Sequence, residues 1–308
     1  MKTTPVTPAD LAASVLAVPP LARNSNLTLN HKANKAQIHH LQAGGVRTLM
    51  YGGNANFYNI GTVEYPAILD MLEKFVGKDT WVIPSIGSDF GKAFDQVSIL
   101  RERNFPTAMA LPQSVISTEA GIATGLRKLA ERLGKPLIVY IKSDDYLSPK
   151  TVAALDADGC VAAVKYGTIR ADYTQDAYGK ALVQAVNPNK IISGIGERPA
   201  IVHLRDLGLQ GFTSGSVCVA PRGSMALLKA IQAKDWAAAD KIRAAYLPLE
   251  NARDAINPIR TLHEAVTLAG IANMGPMLPM LSNIEEHHFA RVGAAARALL
   301  AHDAQHPN

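Results

Sequence analysis

Eight short apolar segments alternate with helix-like segments between residues 14 and 233, and this alternation constrains the fold more than any other feature. Each of the first seven segments is followed by a plausible helix, and residues 224–233 form an eighth helix after the last. Eight strand–helix units in this length predict an α/β fold, a (β/α)8 TIM barrel, and argue against an open doubly wound sheet. The predicted strands are residues 14–18, 46–51, 81–86, 107–111, 136–141, 160–165, 190–194 and 211–214.

The pattern becomes purely helical after residue 233. We therefore expect a barrel catalytic domain over residues 1–233 and a C-terminal helical bundle over residues 234–308, which would support the barrel or form a subunit contact. Within the barrel, we predict helices at residues 32–43, 65–75, 93–103, 119–133 and 173–186. In the C-terminal bundle, we predict helices at residues 236–253, 258–272 and 284–300.

Residues 11–22 are mildly apolar and follow Lys2, which gives the N-terminus a faint likeness to a signal peptide. Pro19 and Pro20 interrupt this segment, and no small-residue cleavage site follows it. We predict a first strand here, preceded by a flexible leader. Because a signal peptide is not predicted, we expect the protein to be cytoplasmic.

The composition is typical of a globular protein: 48% of the 308 residues are hydrophobic and 19% are charged. The net charge of +5 is spread along the chain, so nucleic acid is not an expected partner, and no apolar segment predicts a membrane span. Cys160 and Cys218 are predicted to be buried thiols in a reducing compartment. Residues 285–288 are metal-binding types, but as neighbours on a helix they point in different directions, so no metal site is predicted.

Lys165 stands at the end of an apolar segment, 161–165, that reads as a buried strand. Burial disfavours the charged form of a lysine, and an unprotonated amine can attack a carbonyl carbon to form a Schiff base. The ordinary interpretation is a lysine that extends its head group into water. Because active sites of (β/α)8 barrels lie at the carboxyl ends of the strands, the predicted fold favours the catalytic interpretation.

Tyr140 and Lys142 mark the end of the preceding strand. Strand alternation puts Ile138, Tyr140 and Lys142 on one face, and it puts Val161, Ala163 and Lys165 on one face of the next strand. A phenol beside a Schiff-base amine can carry protons, although Tyr140 could equally be a barrel-filling aromatic. Spacing alone leaves Lys142 and Lys165 both open as the nucleophile.

These residues resemble the dihydrodipicolinate synthase and N-acetylneuraminate lyase family of class I, Schiff-base-forming aldolases. The resemblance runs from about Val18 to the C-terminus and rests on the order and spacing of several short motifs. The motifs are Tyr140 with Leu-Ser-Pro at 147–149, Val-Ala-Ala-Val-Lys-Tyr-Gly at 161–167, Ile-Ser-Gly at 192–194, Gly-Phe-Thr-Ser-Gly at 211–215, and Met-Gly-Pro at 274–276.

The resemblance implies that Lys165 forms an imine with a 2-keto acid and that Tyr140 relays protons. It places Gly53 and Asn54 at the carboxylate of the keto acid and Thr213 beside the small end of the substrate. Lys142 and Arg170 are further candidates for substrate binding, because either cation could bind a distal carboxylate of the substrate. The expected protein uses no cofactor and forms a homo-oligomer, a dimer or a tetramer.

Several positions depart from the family pattern. The carboxylate loop, usually Gly-Thr-Thr-Gly-Glu, reads Gly-Gly-Asn-Ala-Asn at 52–56. Gln113 and Ser114 replace a tyrosine pair after the fourth strand, and the arginine expected shortly after Tyr140 is missing. The short spacing from Tyr140 to Leu147 resembles the 5-dehydro-4-deoxyglucarate dehydratase branch.

Three functions follow as hypotheses. The first is a dihydrodipicolinate synthase-like lyase that acts on pyruvate or a related 2-keto acid through a lysine Schiff base. The second is a dehydratase of sugar acids like the branch just named. The third is a barrel that binds a keto acid without catalysis.

Overall fold

The computed structural model describes residues 1–307 and contains a closed barrel of eight parallel strands. The strands follow chain order around the barrel, and one helix follows each strand, so the predicted (β/α)8 fold is confirmed. The strands are β1 (Leu16–Ala17), β2 (Thr48–Tyr51), β3 (Trp81–Ile86), β4 (Met109–Ala110), β5 (Leu137–Ile141), β6 (Val161–Tyr166), β7 (Ile191–Ser193) and β8 (Gly211–Ser214). The helices are α1 (Pro8–Ala13), α2 (His31–Ala43), α3 (Tyr65–Phe75), α4 (Phe90–Arg101), α5 (Glu119–Leu133), α6 (Pro149–Ala157), α7 (Ala177–Ala185), α8 (Ala200–Asp206), α9 (Pro221–Gln232), α10 (Trp236–Ile256), α11 (Pro258–Leu268) and α12 (Phe289–Asp303).

Side-chain caps determine where several helices begin. The bounds predicted for α3 and α5 are confirmed at both ends, and the Thr118 hydroxyl caps α5 by accepting the N–H of Gly121. The predicted start of α4 is three residues late, because Asp89 caps the helix and accepts the N–H of Lys92 at 2.8 Å. The predicted start of α7 is four residues early, because Asp176 is the cap there.

The expected flexible leader is wrong. Residues 8–13 form α1, which begins with a capping box in which Thr7 and Asp10 satisfy each other's backbone N–H groups. Leu11 of this helix is buried in the core. The first strand is shorter than predicted, and Pro19 and Pro20, which lack backbone N–H groups, follow just beyond it.

Of the two cysteines, only Cys218 meets the expectation of a buried thiol. Cys160 directly precedes β6 and is only half-buried. Cys218 is buried, but it lies in a 3₁₀ turn after β8 and not in a strand. Neither cysteine forms a disulfide.

An irregularity in the pairing of β5 with β6 changes the register by one residue. Leu137 pairs with Val161, but Ile138 pairs with Ala163, so Ala162 is an extra residue in β6. Paired residues point to the same side of a sheet, and Leu137 and Ile138 point to opposite sides. The prediction that Val161 shares a face with Ala163 and Lys165 is therefore wrong, while the pairing of Tyr140 with Lys165 follows from the shift.

Helices α10, α11 and α12 pack together and against the barrel through a second apolar cluster, which includes Val219 and Ala220 from the segment after β8. Tyr246 of α10 is fully buried there, and its hydroxyl donates to the carbonyl of Ala220 at 2.7 Å. The division into domains at residue 233 stays a prediction. No helix within residues 1–307 has both the length and the apolar character needed to cross a membrane.

Candidate active site

A cavity of about 480 Å³ opens at the carboxyl ends of the barrel strands. It collects side chains from β5, β6 and β8, from the turn after β2, and from α10 and α11. The six residues predicted from sequence all line it, namely Lys165, Tyr140, Lys142, Gly53, Asn54 and Thr213. Their roles stay predictions, but their convergence in one cavity is a property of the fold.

Lys165 is a buried amine in the wall of this cavity. Its side chain is 6% exposed, and its Nζ lies 4.5 Å from the centroid of the Tyr140 ring. No carboxylate within residues 1–307 forms an ion pair with it. Burial, followed by the charge of Lys142, lowers the pKa of Lys165 to about 7. A large fraction of Lys165 is therefore free amine at neutral pH, the form that attacks a carbonyl carbon.

Tyr140 presents its phenol beside that amine. Burial raises the pKa of Tyr140, and the nearby phenol of Tyr58 raises it further, so the hydroxyl keeps its proton at neutral pH. Gly167 leaves room for the ring: a Cβ at this position would lie 2.8 Å from Cε2 of Tyr140. A protonated phenol next to a free amine has the composition needed to give and take protons during imine formation.

Gly53 and Asn54 form the start of a 3₁₀ turn after β2. The N–H groups of the next residues, Ala55 and Asn56, donate to carbonyls within the turn. Within residues 1–307, the N–H groups of Gly53 and Asn54 have no acceptor. The Asn54 side chain fixes the turn to the end of β1 by donating to the carbonyl of Val18 at 3.0 Å. Two adjacent unpaired N–H groups in a turn make a suitable site for a carboxylate.

Lys142 and Arg170 have different surroundings. Lys142 is exposed and lines the cavity, and its Nζ lies 5.6 Å from the centroid of the Tyr58 ring. Arg170 lies outside this cavity and forms ion pairs with Asp144 at 2.7 Å and with Asp176 at 3.0 Å. Arg170 is therefore committed to structure, whereas Lys142 has no carboxylate partner within residues 1–307.

Several cavity residues were not predicted from the sequence. Tyr58 comes from the loop after β2, and the Thr168 hydroxyl, buried without a partner, comes from the loop after β6. Arg253 and Asp254 come from the last turn of α10, at the end of the helix predicted at residues 236–253, where the sequence carries no strand-end signal. An aromatic residue in a strand-end loop could have drawn attention to Tyr58; no comparable signal marks Arg253.

Arg253 is held firmly in the cavity wall. Its guanidinium donates to the carbonyl of Ile195 at 3.3 Å and to Asp254 at 3.0 Å, and it contacts Glu250 at 3.5 Å. The cavity thus contains the cations of Lys142 and Arg253, the carboxylate of Asp254 and the partly protonated amine of Lys165. This balance suits an anionic ligand.

Other strand-end residues do not reach this cavity. Glu197, after β7, is fully buried behind it, where its backbone N–H donates to Glu250 and its carboxylate accepts from Ser224. Burial, followed by the charge of Glu250, raises the pKa of Glu197 to about 8. Ser88 and Gln113 line a separate apolar cavity of about 560 Å³ beside α4 and α5. Within residues 1–307, no three His, Cys, Asp or Glu side chains are arranged to hold a metal ion.

The model of the dihydrodipicolinate synthetase family matches residues 13–298, which is most of the chain. A comparison with curated proteins finds no match.

Solved structures show the same fold at low sequence identity. Dihydrodipicolinate synthase from Bacillus clausii is 20% identical, with a TM-score of 0.82 over 93% of this chain and 98% of that one. A catalytic lysine mutant of sialic acid aldolase from Ruminococcus gnavus is 13% identical, with a TM-score of 0.84 over 97% and 99% of the two chains. The chloride-inhibited dihydrodipicolinate synthase from Acinetobacter baumannii, complexed with pyruvate, is 17% identical, with a TM-score of 0.83 over 94% and 99%.

Proposed function

Because the chain belongs to the dihydrodipicolinate synthetase family, whose members are lyases, we propose that it is a lyase acting on pyruvate or a related 2-keto acid through a Schiff base on Lys165. The observation that carries the proposal is the buried, unpaired amine of Lys165 beside the phenol of Tyr140. Two of the solved relatives support it, one described with a catalytic lysine and one complexed with pyruvate.

The proposed reaction begins with the free amine of Lys165. Its lone pair attacks the keto carbon, and a proton passes from the nitrogen to the former carbonyl oxygen to give a carbinolamine. Protonation of that hydroxyl allows it to leave as water and gives the iminium, which withdraws electrons from the neighbouring carbon and allows a bond there to form or break. In this proposal the phenol of Tyr140, beside the amine, delivers and recovers these protons.

The substrate carboxylate would be held by the turn after β2. The unpaired N–H groups of Gly53 and Asn54 would donate hydrogen bonds to the carboxylate oxygens. Such charge-assisted hydrogen bonds are strong in a partly buried site. Thr213 lies on β8, 1% exposed, and would border the small end of the bound acid. Lys142 is placed to attract a second anionic group.

Reductive trapping tests the proposal directly. The protein is incubated with pyruvate and sodium borohydride, and peptide mass mapping locates the adduct. We expect irreversible modification of Lys165, and no modification in a Lys165→Arg variant incubated in parallel. An adduct on Lys142 would reassign the nucleophile. Saturable pyruvate binding without any adduct would leave the barrel as a binder of keto acids and contradict the imine.

A further inference from the structure

Two lysines share the cavity without a carboxylate partner for either. Lys142 directly follows β5, two residues after Tyr140, and Tyr140 is the register partner of Lys165 on the adjacent strand. Both lysines line the cavity, and neither forms an ion pair within residues 1–307. Two unpaired cations in one partly buried cavity repel each other more strongly than they would in water.

The other charged and titratable groups around Lys165 do not cancel this repulsion. Asp254 is the one carboxylate in the cavity wall, and it is already bound by Arg198 at 3.2 Å and by Arg253 at 3.0 Å. The remaining titratable groups of the wall are the neutral phenols of Tyr58 and Tyr140, from the loop after β2 and from β5.

We propose that Lys142 activates Lys165 by charge repulsion, so that Lys165 stays the free amine that attacks the keto carbon. This inference rests on the proposed function, because it takes Lys165 as the nucleophile. Lys142 acts through Lys165 and is in this respect a positioning residue.

The surroundings decide which of the two lysines keeps its proton. Each ammonium lies over a tyrosine ring, Lys142 over Tyr58 at 5.6 Å and Lys165 over Tyr140 at 4.5 Å, so this contact does not distinguish them. Solvation does: Lys142 is exposed to solvent, whereas Lys165 is 6% exposed. The charge therefore remains on Lys142, and the pKa of Lys165 falls because of burial first and the Lys142 charge second.

A pH profile separates activation from binding. The rate of reductive trapping by pyruvate and sodium cyanoborohydride is measured from pH 5.5 to 9.5 at saturating pyruvate, for the wild type and for Lys142→Met, Lys142→Gln and Lys142→Arg. In Lys142→Met and Lys142→Gln, which lack the positive charge, the midpoint of the rate–pH profile should move upward by about one pH unit. Trapping at pH 7 should then fall by about fivefold. Lys142→Arg should restore the wild-type profile.

A matched control removes a lysine charge elsewhere. Lys150 is exposed on α6 and does not line the cavity, so Lys150→Met should leave the midpoint unchanged. If Lys142 merely binds substrate, the neutral variants will need more pyruvate but will keep the wild-type midpoint, and this outcome would overturn the proposal.

A second measurement does not depend on imine chemistry. Competitive acetylation with acetic anhydride, followed by peptide mass spectrometry, reports the free-amine fraction of Lys165 at each pH. If the pH midpoint of Lys165 acetylation rises in Lys142→Met, the charge coupling is supported even when pyruvate forms no trapped adduct. In that case only the proposed function fails. An unchanged acetylation profile contradicts the coupling even if trapping on Lys165 succeeds.

Discussion

Tyr140 and Lys165 face each other on the adjacent strands β5 and β6, with the lysine Nζ 4.5 Å from the centroid of the tyrosine ring. The ring and the amine both line the cavity at the mouth of the barrel. This relationship is the basis of the first two predictions.

Replacing Tyr140 with Phe should preserve the fold, because the ring still fills the barrel. It should slow imine-dependent turnover by about 10²-fold or more, since the proton-carrying hydroxyl is lost. Exchange of the pyruvate methyl protons in D2O, followed by NMR, measures this without a second substrate. Tyr146→Phe is the matched control, because Tyr146 lines the other cavity. Unchanged exchange in Tyr140→Phe would remove the relay role.

Replacing Gly167 with Ala should disturb the same phenol without removing it. The added Cβ would lie 2.8 Å from Cε2 and 3.3 Å from the hydroxyl of Tyr140, so the ring must move. We expect trapping of pyruvate to slow by about tenfold or more, as a misplaced catalytic group usually does. Gly61→Ala, with no atom within 4 Å of its new Cβ, should trap at the wild-type rate. A wild-type rate in Gly167→Ala would show that the ring position is unimportant.

Replacing Asn54 with Asp should weaken binding of the substrate carboxylate. The new side chain cannot donate to the carbonyl of Val18, and its negative charge stands beside the two unpaired N–H groups of the turn. The concentration of pyruvate needed for half-maximal trapping should rise by about tenfold or more. Asn59→Asp places the same charge farther along the loop, outside the cavity lining, and serves as the control. Equal pyruvate requirements for both variants would argue against a carboxylate site at Gly53 and Asn54.

Replacing Glu197 with Gln should change how stability depends on pH. The pKa of Glu197 is raised to about 8 from the ordinary 4.5, so the folded state holds a proton that the unfolded chain releases between these values. The free energy of unfolding therefore falls as pH rises from about 4.5 to about 8. Gln cannot ionise, so the variant should lose less stability than the wild type as the pH rises. Between pH 5 and pH 9, its free energy of unfolding should gain about 1 kcal/mol or more relative to that of the wild type. Urea unfolding at pH 5 and pH 9 measures these free energies, with a Glu131→Gln variant at an exposed position as the control. If the wild type and both variants show the same pH dependence of stability, the prediction is wrong.

Condensation of pyruvate with aspartate semialdehyde should be poor or absent. Asn54 has no transferable hydroxyl proton, and Ser114 lies outside the cavity lining. Arg170 is held by Asp144 and Asp176, which leaves Lys142 as a single point charge without the paired donors of a guanidinium. A coupled assay with the next reductase measures this condensation. Turnover in the ordinary enzyme range of about 1–10³ s⁻¹ would show that other residues supply the relay.

The barrel was predictable because many strand ends and helix starts have a local chemical signal. Apolar segments of strand length, terminating glycines and capping residues such as Thr118 act within a few positions along the chain. The same signals failed where a cap was overlooked, as at Asp89 and Asp176, and at the N-terminus, where Asp10 completes a capping box.

Within the candidate site, only the residues at or just after strand ends were predictable from the order of the strands. Lys165, Tyr140 and Thr213 lie at strand ends, where a closed barrel must bring them together. Arg253 reaches the cavity from α10, and its position depends on how that helix packs, which no local pattern encodes. Both Lys142 and Lys165 stand at predicted strand ends, and the proposal that Lys165 is the nucleophile depends on its burial, which the sequence does not give.

The extra residue Ala162 in β6 has a consequence for how this barrel tolerates change. Without the shift, the register that starts at Leu137 and Val161 would set Lys165 opposite Ile141, and the amine and the phenol would point to opposite sides of the sheet. A uniform pairing that kept every residue of both strands would therefore separate the amine from the phenol. Deleting Ala162 instead removes the extra residue and keeps Lys165 opposite Tyr140, so a redesign can lose this irregularity only together with one residue of β6.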